Sequence, residues 1–149
     1  MKLSFTLNGT PTSTDVEPDA LLLDVLRGLG WTGTKEGCAV GVCGACTTLV
    51  NEVPVSSCIY LAPCAEGAAI WTVEGLAKRA PDLVEAFVEH EGMQCGICTP
   101  GQVVSAFACG LDHPGASEDE VRHFMAGNLC RCTGYATIVE SVRAYVAQR

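Results

Sequence analysis

The sequence predicts an α+β fold in two parts, with strands around one helix followed by four short helices. Two patterns among the 149 residues predict it. In the first half, apolar and polar residues alternate between turn-forming dipeptides, which is typical of strands. In the second half, apolar residues recur at helical spacing after proline or serine start signals. We therefore predict one domain over residues 1–76 and a second over residues 77–149.

The first part begins with a predicted hairpin and a helix. Alternating apolar residues make positions 3–7 a strand, and Asn8-Gly9 turns the chain so that residues 12–16 pair with it. Pro18 is expected to open a helix. Its apolar stripe follows the i, i+3, i+4, i+7 spacing and is formed by Leu22, Val25, Leu26 and Leu29. A strand pair with one packed helix is therefore expected at the start of the chain.

A loop, a second hairpin and another strand complete the first part. Residues 33–44 carry repeated glycines without a periodic apolar pattern, so we expect a loop. Residues 47–50 and 53–57 flank a two-residue turn and predict a hairpin. Residues 69–73 predict one more strand. Mixed strands with one helix favour an α+β half.

Four helices are predicted in the second part, each from its start signal. Pro81 begins the first and Thr99-Pro100 the second. Ser117 and Glu120 have the spacing of a capping box, in which each caps the other at a helix start. The last helix is expected over residues 137–147. Four short helices in succession indicate a bundle, and the division between the two parts is expected near residues 74–80.

Charge and composition exclude several classes of function. A formal charge of −8 argues against nucleic-acid binding, which requires a basic surface. No apolar stretch reaches the roughly 18 residues needed for a membrane span. The N-terminus has neither an apolar export segment nor a twin-arginine motif, so we expect a cytoplasmic protein. Its ten cysteines are then expected to be reduced thiols or metal ligands.

Four cysteines of the first part have the spacing of an iron–sulfur site. Cys38, Cys43, Cys46 and the more distant Cys58 follow the C-x₄-C-x₂-C…C pattern of plant-type [2Fe–2S] proteins. The glycines of the loop let backbone N–H groups approach the sulfurs, which stabilises an anionic cluster. The alternative is zinc, but a structural zinc site usually shows two C-x₂-C pairs. The pattern favours a cluster and leaves zinc open.

A second cysteine group occupies the second part. Cys95 and Cys98 form one pair, and Cys130 and Cys132 form another. Both pairs are predicted at helix N-termini, where unpaired N–H groups favour an anionic cluster. Their spacing alone is also compatible with zinc. A Rieske site is disfavoured because neither pair has a histidine at ligand spacing.

The two remaining cysteines are not predicted to be ligands. Cys64 follows a proline, and Cys109 lies on an apolar helix face. Free cysteine commonly packs as a small hydrophobic residue. Neither Cys64 nor Cys109 is therefore expected to bind a metal or a cluster.

Five motifs in this order resemble the small iron–sulfur subunit, or the N-terminal iron–sulfur region, of the xanthine dehydrogenase family of molybdenum hydroxylases. This family includes carbon monoxide dehydrogenases, aldehyde oxidoreductases and dehydrogenases of nitrogen heterocycles. The resemblance covers nearly the whole chain. The motifs are GTKEGC at 33–38, CGACT at 43–47, VEGL at 73–76, QCGICTPG at 94–101 and GNLCRCTGY at 127–135.

The resemblance implies a β-grasp, ferredoxin-type domain followed by a four-helix [2Fe–2S] domain. It implies that the first group of cysteines holds the cluster nearer a flavin and the second group the cluster nearer molybdenum. It also implies that Gln94, which precedes Cys95, hydrogen-bonds the pterin of the molybdenum cofactor at a subunit interface. A solvated loop amide is the alternative role for this glutamine.

The same resemblance implies partners and a non-catalytic role. A large subunit would carry the molybdopterin-type cofactor and the substrate site, and a medium subunit would carry FAD. This chain would relay electrons from the molybdenum cofactor, through two [2Fe–2S] clusters, to the flavin subunit or another acceptor. It shows no phosphate-binding loop, dinucleotide fingerprint or nucleophile elbow of its own. A free-standing ferredoxin and a zinc-stabilised interaction module are the two alternatives.

Overall fold

A computed structural model of the chain describes all 149 residues. Its first part is a five-stranded mixed sheet in the order β2-β1-β5-β3-β4, with β1 parallel to β5 and the other neighbours antiparallel. The strands are β1 (Lys2–Leu7), β2 (Thr10–Asp15), β3 (Thr47–Val50), β4 (Val53–Ser56) and β5 (Ala69–Trp71). Both predicted hairpins are confirmed.

The first hairpin forms because its pattern and its turn agree. Leu3, Phe5 and Leu7 are all buried and alternate with half-buried neighbours. Asn8 and Gly9 both adopt positive φ, at 50° and 82°, as a two-residue turn between twisted strands requires. The buried face of β1 packs in the core of the first part.

Helix α1 (Leu22–Gly28) covers this sheet, but it begins later than Pro18. Leu21, the residue before it, is extended and pairs with Leu61 in an isolated β-bridge. That pairing uses the backbone that would have formed the first helical turn. Leu22 and Leu26 are fully buried. One helix packed on a mixed sheet agrees with the β-grasp arrangement.

Five helices follow the sheet. They are α2 (Val73–Arg79), α3 (Pro81–Glu89), α4 (Thr99–Asp112), α5 (Glu118–Met125) and α6 (Ala136–Val146). Helices α3 to α6 are the four that the sequence predicts. Helix α4 is central, because it packs against all the others and against β3, and its residues 101–110 are all buried.

Helix α2 was not predicted, and the strand before it ends two residues earlier than expected. The side chain of Asn8 accepts a hydrogen bond from the Thr72 N–H and donates one to the Thr72 hydroxyl, both at 2.9 Å. Thr72 thereby leaves the sheet and becomes the residue before the helix. Helix α2 runs across the predicted domain boundary between residues 76 and 77. The boundary itself stays a prediction.

The predicted capping box at α5 is confirmed. The Ser117 hydroxyl accepts from the Glu120 N–H at 3.4 Å, and the Glu120 carboxylate accepts from the Ser117 N–H at 2.7 Å. The Ser117 hydroxyl also donates to the Glu120 carboxylate at 2.6 Å, and this bond, followed by the one from the Ser117 N–H, lowers the pKa of Glu120. The helix therefore starts at Glu118, one residue beyond its cap.

The two parts pack directly on each other. Leu49 of β3 belongs to the core formed by the helices. The Arg79 guanidinium lies 4.7 Å above the ring of Trp71 and 4.8 Å above that of Phe107, and it pairs with Glu52 at 2.8 Å. Sheet, hairpin turn and helix thus meet around one side chain.

Both edges of the sheet carry a proline. Pro11 lies in β2 and Pro54 in β4, which are the two outer strands. Proline has no backbone N–H, so it occurs in sheets mainly at edges. Among the helices, none is long and apolar enough to cross a membrane.

Candidate metal centres

The first cysteine group surrounds a loop without regular structure. Cys38 and Cys43 are half-buried on this loop, and Cys46, which directly precedes β3, is buried. Cys58 is also buried, but it lies two residues beyond the end of β4 rather than on the strand itself. The four thiols converge although the last comes from a separate turn.

Backbone N–H groups of the loop point at one of these sulfurs. The N–H groups of Val40, Val42 and Cys43 donate to the Cys38 Sγ at 3.4 to 3.5 Å. They lower the pKa of Cys38 to about 6, with the bond from Val40 as the largest cause. The folded loop therefore favours the thiolate, which is the form that binds metal.

Two glycines of the loop are required by close contacts. Gly41 has φ of 74°, and a Cβ there would lie 2.5 Å from Cδ1 of Ile59. A Cβ on Gly37 would lie 2.8 Å from the Cys43 Sγ. Gly37 thus leaves room for a sulfur, and Gly41 allows the positive φ that the loop requires.

The thiols of the first group are arranged in two contacting pairs. Cys38 contacts Cys43, and Cys46 contacts Cys58. Burial, followed by the contact with Cys46, raises the pKa of Cys58 to about 11. Two pairs match the ligand demand of a cluster in which four thiolates serve two irons.

The second group repeats this pairing. The sulfurs of Cys95 and Cys132 are 3.4 Å apart, and Cys98 contacts Cys130. Cys98 lies at the N-cap of α4, as predicted. Cys130 and Cys132 were also predicted at a helix N-terminus, and this prediction is wrong because α6 begins only at Ala136. The intervening residues form bends that bring Cys132 back toward Cys95.

Side chains of the last loop order the second group. The Thr133 hydroxyl donates to the Cys130 Sγ at 3.2 Å, and the Cys130 N–H donates to the Tyr135 hydroxyl at 3.1 Å. Burial has the largest single effect on the pKa of Cys130 and raises it, but hydrogen bonds from Thr133, Cys132 and Cys98 together lower this pKa to about 7. Burial raises the pKa of Cys98 to about 12. The pKa values of Cys98 and Cys130 are therefore shifted in opposite directions.

The donor sets fit [2Fe–2S] clusters. Each group offers four thiols in two pairs, and the first adds N–H donors of the kind that stabilise a negative cluster. No set of three or more histidine, cysteine, aspartate or glutamate side chains is arranged to hold a single metal ion.

The two cysteine groups are joined by a backbone hydrogen bond. The Leu129 N–H donates to the Cys43 carbonyl at 2.9 Å. Leu129 directly precedes Cys130, so one hydrogen bond connects a residue of the first group to a neighbour of the second. The separation of the two groups is thereby fixed by the fold.

The other singled-out residues lie outside these pairs. Gln94 is exposed and lines a cavity of about 480 Å³ together with Phe87, Met93 and Thr133. Cys64 is exposed in the single 3₁₀ turn, Ala62–Ala65, and Cys109 is fully buried in α4.

Three polar roles were missed from the sequence. The loop that carries Cys130 and Cys132 is held by hydrogen bonds of three polar side chains, those of Asn128, Thr133 and Tyr135. In the sequence, only the cysteines of this motif were assigned roles. The available signal was the position of these polar residues inside GNLCRCTGY, where all three lie within three residues of a cysteine. The N–H donors of the first loop could not be predicted in this way, because they belong to the backbone and not to any side chain.

Comparison with known proteins defines the class of these sites. Residues 5–71 match the family model described as "2Fe-2S iron-sulfur cluster binding domain", and residues 72–143 match "[2Fe-2S] binding domain". The fold and these matches define a protein with two [2Fe–2S] clusters. The expectation of two clusters, rather than zinc, is confirmed.

Individual relatives narrow the class to a family. The chain is 43% identical to the nicotinate dehydrogenase small FeS subunit of Eubacterium barkeri, covering 99% of this chain and 95% of that protein. It is 40% identical to aldehyde oxidase 2 of Cavia porcellus, of which it spans 12%. The crystal structure of quinoline 2-oxidoreductase from Pseudomonas putida 86 matches with a TM-score of 0.93 and 46% identity, covering 98% of this chain and 93% of the matched one.

The chain therefore belongs to the xanthine dehydrogenase family of molybdenum hydroxylases, as a non-catalytic iron–sulfur subunit of an oxidoreductase. Its ferredoxin-like domain followed by a helical [2Fe–2S] domain is the fold that the resemblance implied. Electron transfer is the role of such a subunit.

Proposed function

We propose that this chain relays electrons from the molybdenum cofactor of a large subunit, through two [2Fe–2S] clusters, to a flavin subunit or another acceptor. The first cluster is held by Cys38, Cys43, Cys46 and Cys58. The second is held by Cys95, Cys98, Cys130 and Cys132. The observation that carries this assignment is the arrangement of each group as two contacting thiol pairs.

The order of the relay rests on what surrounds each group. The thiols of Cys95 and Cys132 are exposed, and Gln94 stands beside the first of them. We assign this face to the large subunit, where the Gln94 amide would hydrogen-bond the pterin. Val40 and Val42 are exposed on the loop that carries Cys38 and Cys43, and we assign that face to the flavin subunit.

The bond between the loops supports transfer from one cluster to the other. A path from the Cys130 sulfur runs along the backbone to the Leu129 N–H, across one hydrogen bond to the Cys43 carbonyl, and on to the Cys43 sulfur. Bonded paths couple two redox centres better than gaps of the same length. The clusters supply the redox chemistry, and the protein sets their separation, potentials and exposure to solvent.

We extend the proposal to organisation and location. The first cluster is assigned to a domain over residues 1–76 and the second to one over residues 77–149. All ten cysteines are free of disulfides. Thiol ligands persist in a reducing compartment, so we place the complex in the cytoplasm.

Electron paramagnetic resonance of the dithionite-reduced complex, with metal analysis, tests the relay. We expect two distinct [2Fe–2S] signals and about four irons per chain. Replacement of Cys43 by Ser should diminish the first signal and spare most of the second, and Cys98→Ser should do the reverse. The control Cys64→Ser should retain both. A single signal, or zinc in place of iron, would contradict the proposal.

A further inference from the structure

A buried asparagine joins the two cluster-bearing loops. Asn128 is 6% exposed and lies two residues before Cys130. Its Nδ2 donates to the Gly44 carbonyl at 3.0 Å and to the Thr47 hydroxyl at 3.3 Å. Gly44 lies inside the first cysteine loop, between Cys43 and Cys46. One amide group of the second loop is thus bonded to the backbone of the first.

The same side chain is fixed from the helical side. The Ser105 hydroxyl donates to the Asn128 Oδ1 at 2.7 Å, and the Gln102 amide donates to the Asn128 carbonyl at 2.9 Å. Both donors are on α4 and both are buried. Oδ1 therefore connects Asn128 to helix α4, while Nδ2 connects it to the first cysteine loop.

Close backbone contact makes this bridge sensitive to small movements. A Cβ on Gly44 would lie 2.6 Å from the Asn128 Nδ2, and a Cβ on Gly101 would lie 2.1 Å from the Gly44 carbonyl oxygen. The loop, α4 and Asn128 are packed without room for another carbon. A shift of Asn128 is therefore transmitted directly to the first loop.

We propose that Asn128 is a positioning residue for electron transfer between the clusters. It holds Gly44 and its own backbone in register, and this keeps the adjacent Leu129 N–H on the Cys43 carbonyl. The inference rests on the proposed two-cluster relay. It adds that the separation of the clusters depends on Nδ2 of one side chain, which ligates neither.

Removal of this amide should leave the fold intact. The Thr47 hydroxyl itself donates to the Gly44 carbonyl at 2.7 Å. Gly44 therefore keeps a donor when Asn128 is replaced, and no backbone carbonyl of the first loop becomes unpaired at this point. The expected defect is a change in the distance between the two cysteine loops, or a less fixed distance between them.

The test is electron paramagnetic resonance of the fully reduced complex carrying Asn128→Ala. Two neighbouring paramagnetic clusters split or broaden each other's lines at low temperature, and this interaction falls steeply with their separation. We expect both clusters and wild-type iron content, with loss of most of the mutual splitting. Ser141→Ala is the matched control, because it removes a buried hydroxyl hydrogen bond within α6, to the Thr137 carbonyl at 2.7 Å, without touching Asn128, and it should retain the splitting.

The outcomes separate this inference from the proposed function. Unchanged splitting in Asn128→Ala, or equal loss in Ser141→Ala, would overturn the inference while leaving the relay intact. Absence of a second cluster already in the unsubstituted complex would contradict the relay itself. If Asn128→Ala fails to retain iron, Asn128→Asp keeps the acceptor for the Ser105 hydroxyl and removes the Nδ2 donor, and it must then show a loss of splitting for the inference to stand.

Discussion

Cys64 and Cys109 are identical side chains in opposite surroundings. Cys64 is exposed at the end of a short turn of the ferredoxin-like part. Cys109 is 0% exposed in the core of α4, and burial, followed by the nearby Asp112 and Glu120, raises its pKa to about 11. Thiol reactivity depends on both access and ionisation. The two residues should therefore differ sharply in chemistry although neither is assigned to a cluster.

We expect iodoacetamide to modify Cys64 alone in the folded, cluster-loaded chain at neutral pH. Cys109 should become reactive only after unfolding, because its thiol is both inaccessible and un-ionised. Mass spectrometry of the digested protein measures the sites. A Cys64→Ser chain serves as the control and should remain unlabelled. Labelling of Cys109 in the folded state would show that α4 opens readily.

Spacing assigned the four cysteines of the first group to a cluster and the resemblance assigned those of the second, but neither predicted how the thiols are arranged. The C-x₄-C-x₂-C pattern identifies a cluster loop because three thiols so close in sequence must face one centre. The N–H donors to Cys38 depend on backbone angles such as φ of 56° at Ala39, which no side chain specifies. For the last cysteine pair, helix position was wrong because bends rather than a helical turn follow Cys132.

Among the elements, α2 shows where local patterns fail. Its sequence, VEGLAKR, is short and contains an internal glycine, so it gives a weak helical signal. The helix is started by Asn8, which is 64 residues away and bonds to Thr72. By contrast, α5 was found because its capping box lies within four consecutive residues. Elements with local signals were predictable, and those set by distant contacts were not.

Glycine at position 101 should be essential to the packing of α4. Alanine normally stabilises a helix relative to glycine by about 1 kcal/mol. Here its Cβ would lie 2.1 Å from the Gly44 carbonyl oxygen. We therefore expect Gly101→Ala to destabilise the chain by about 1 to 3 kcal/mol, the usual cost of overpacking.

The matched control for this change is Gly28→Ala in α1. A Cβ there would meet nothing within 4 Å, so the substitution should be neutral or stabilising. Thermal unfolding followed by loss of the cluster absorbance compares the two variants. Equal midpoints for both would show that α4 and the first loop can separate without cost.

On the whole molecule, exposed apolar residues gather near both cysteine groups. Val40 and Val42 are 64% and 62% exposed on the first loop. Ile97, between Cys95 and Cys98, is 58% exposed. Large exposed apolar side chains in one region mark interaction surfaces more often than scattered ones do. Each cluster thus has its own candidate docking face.

Charge substitutions should separate the two faces. Ile97→Asp should weaken binding of the large subunit by about tenfold or more, because a carboxylate would be buried in that interface. Val42→Asp should weaken binding of the flavin subunit in the same way. Val53→Asp is the control, since Val53 is 59% exposed on an edge strand away from both loops. Co-purification of the subunits measures the result, and equal losses in all three would contradict separate faces.

The prolines of the two outer strands have a consequence for how this chain behaves before its partners arrive. An open sheet edge with a full row of N–H donors invites another strand, which leads to aggregation. Pro11 and Pro54 interrupt that row on both sides of the sheet. Newly made chains are thus protected from stacking edge to edge. Under the proposed relay, partner subunits then bind at the surfaces around the thiols rather than at the edges of the sheet.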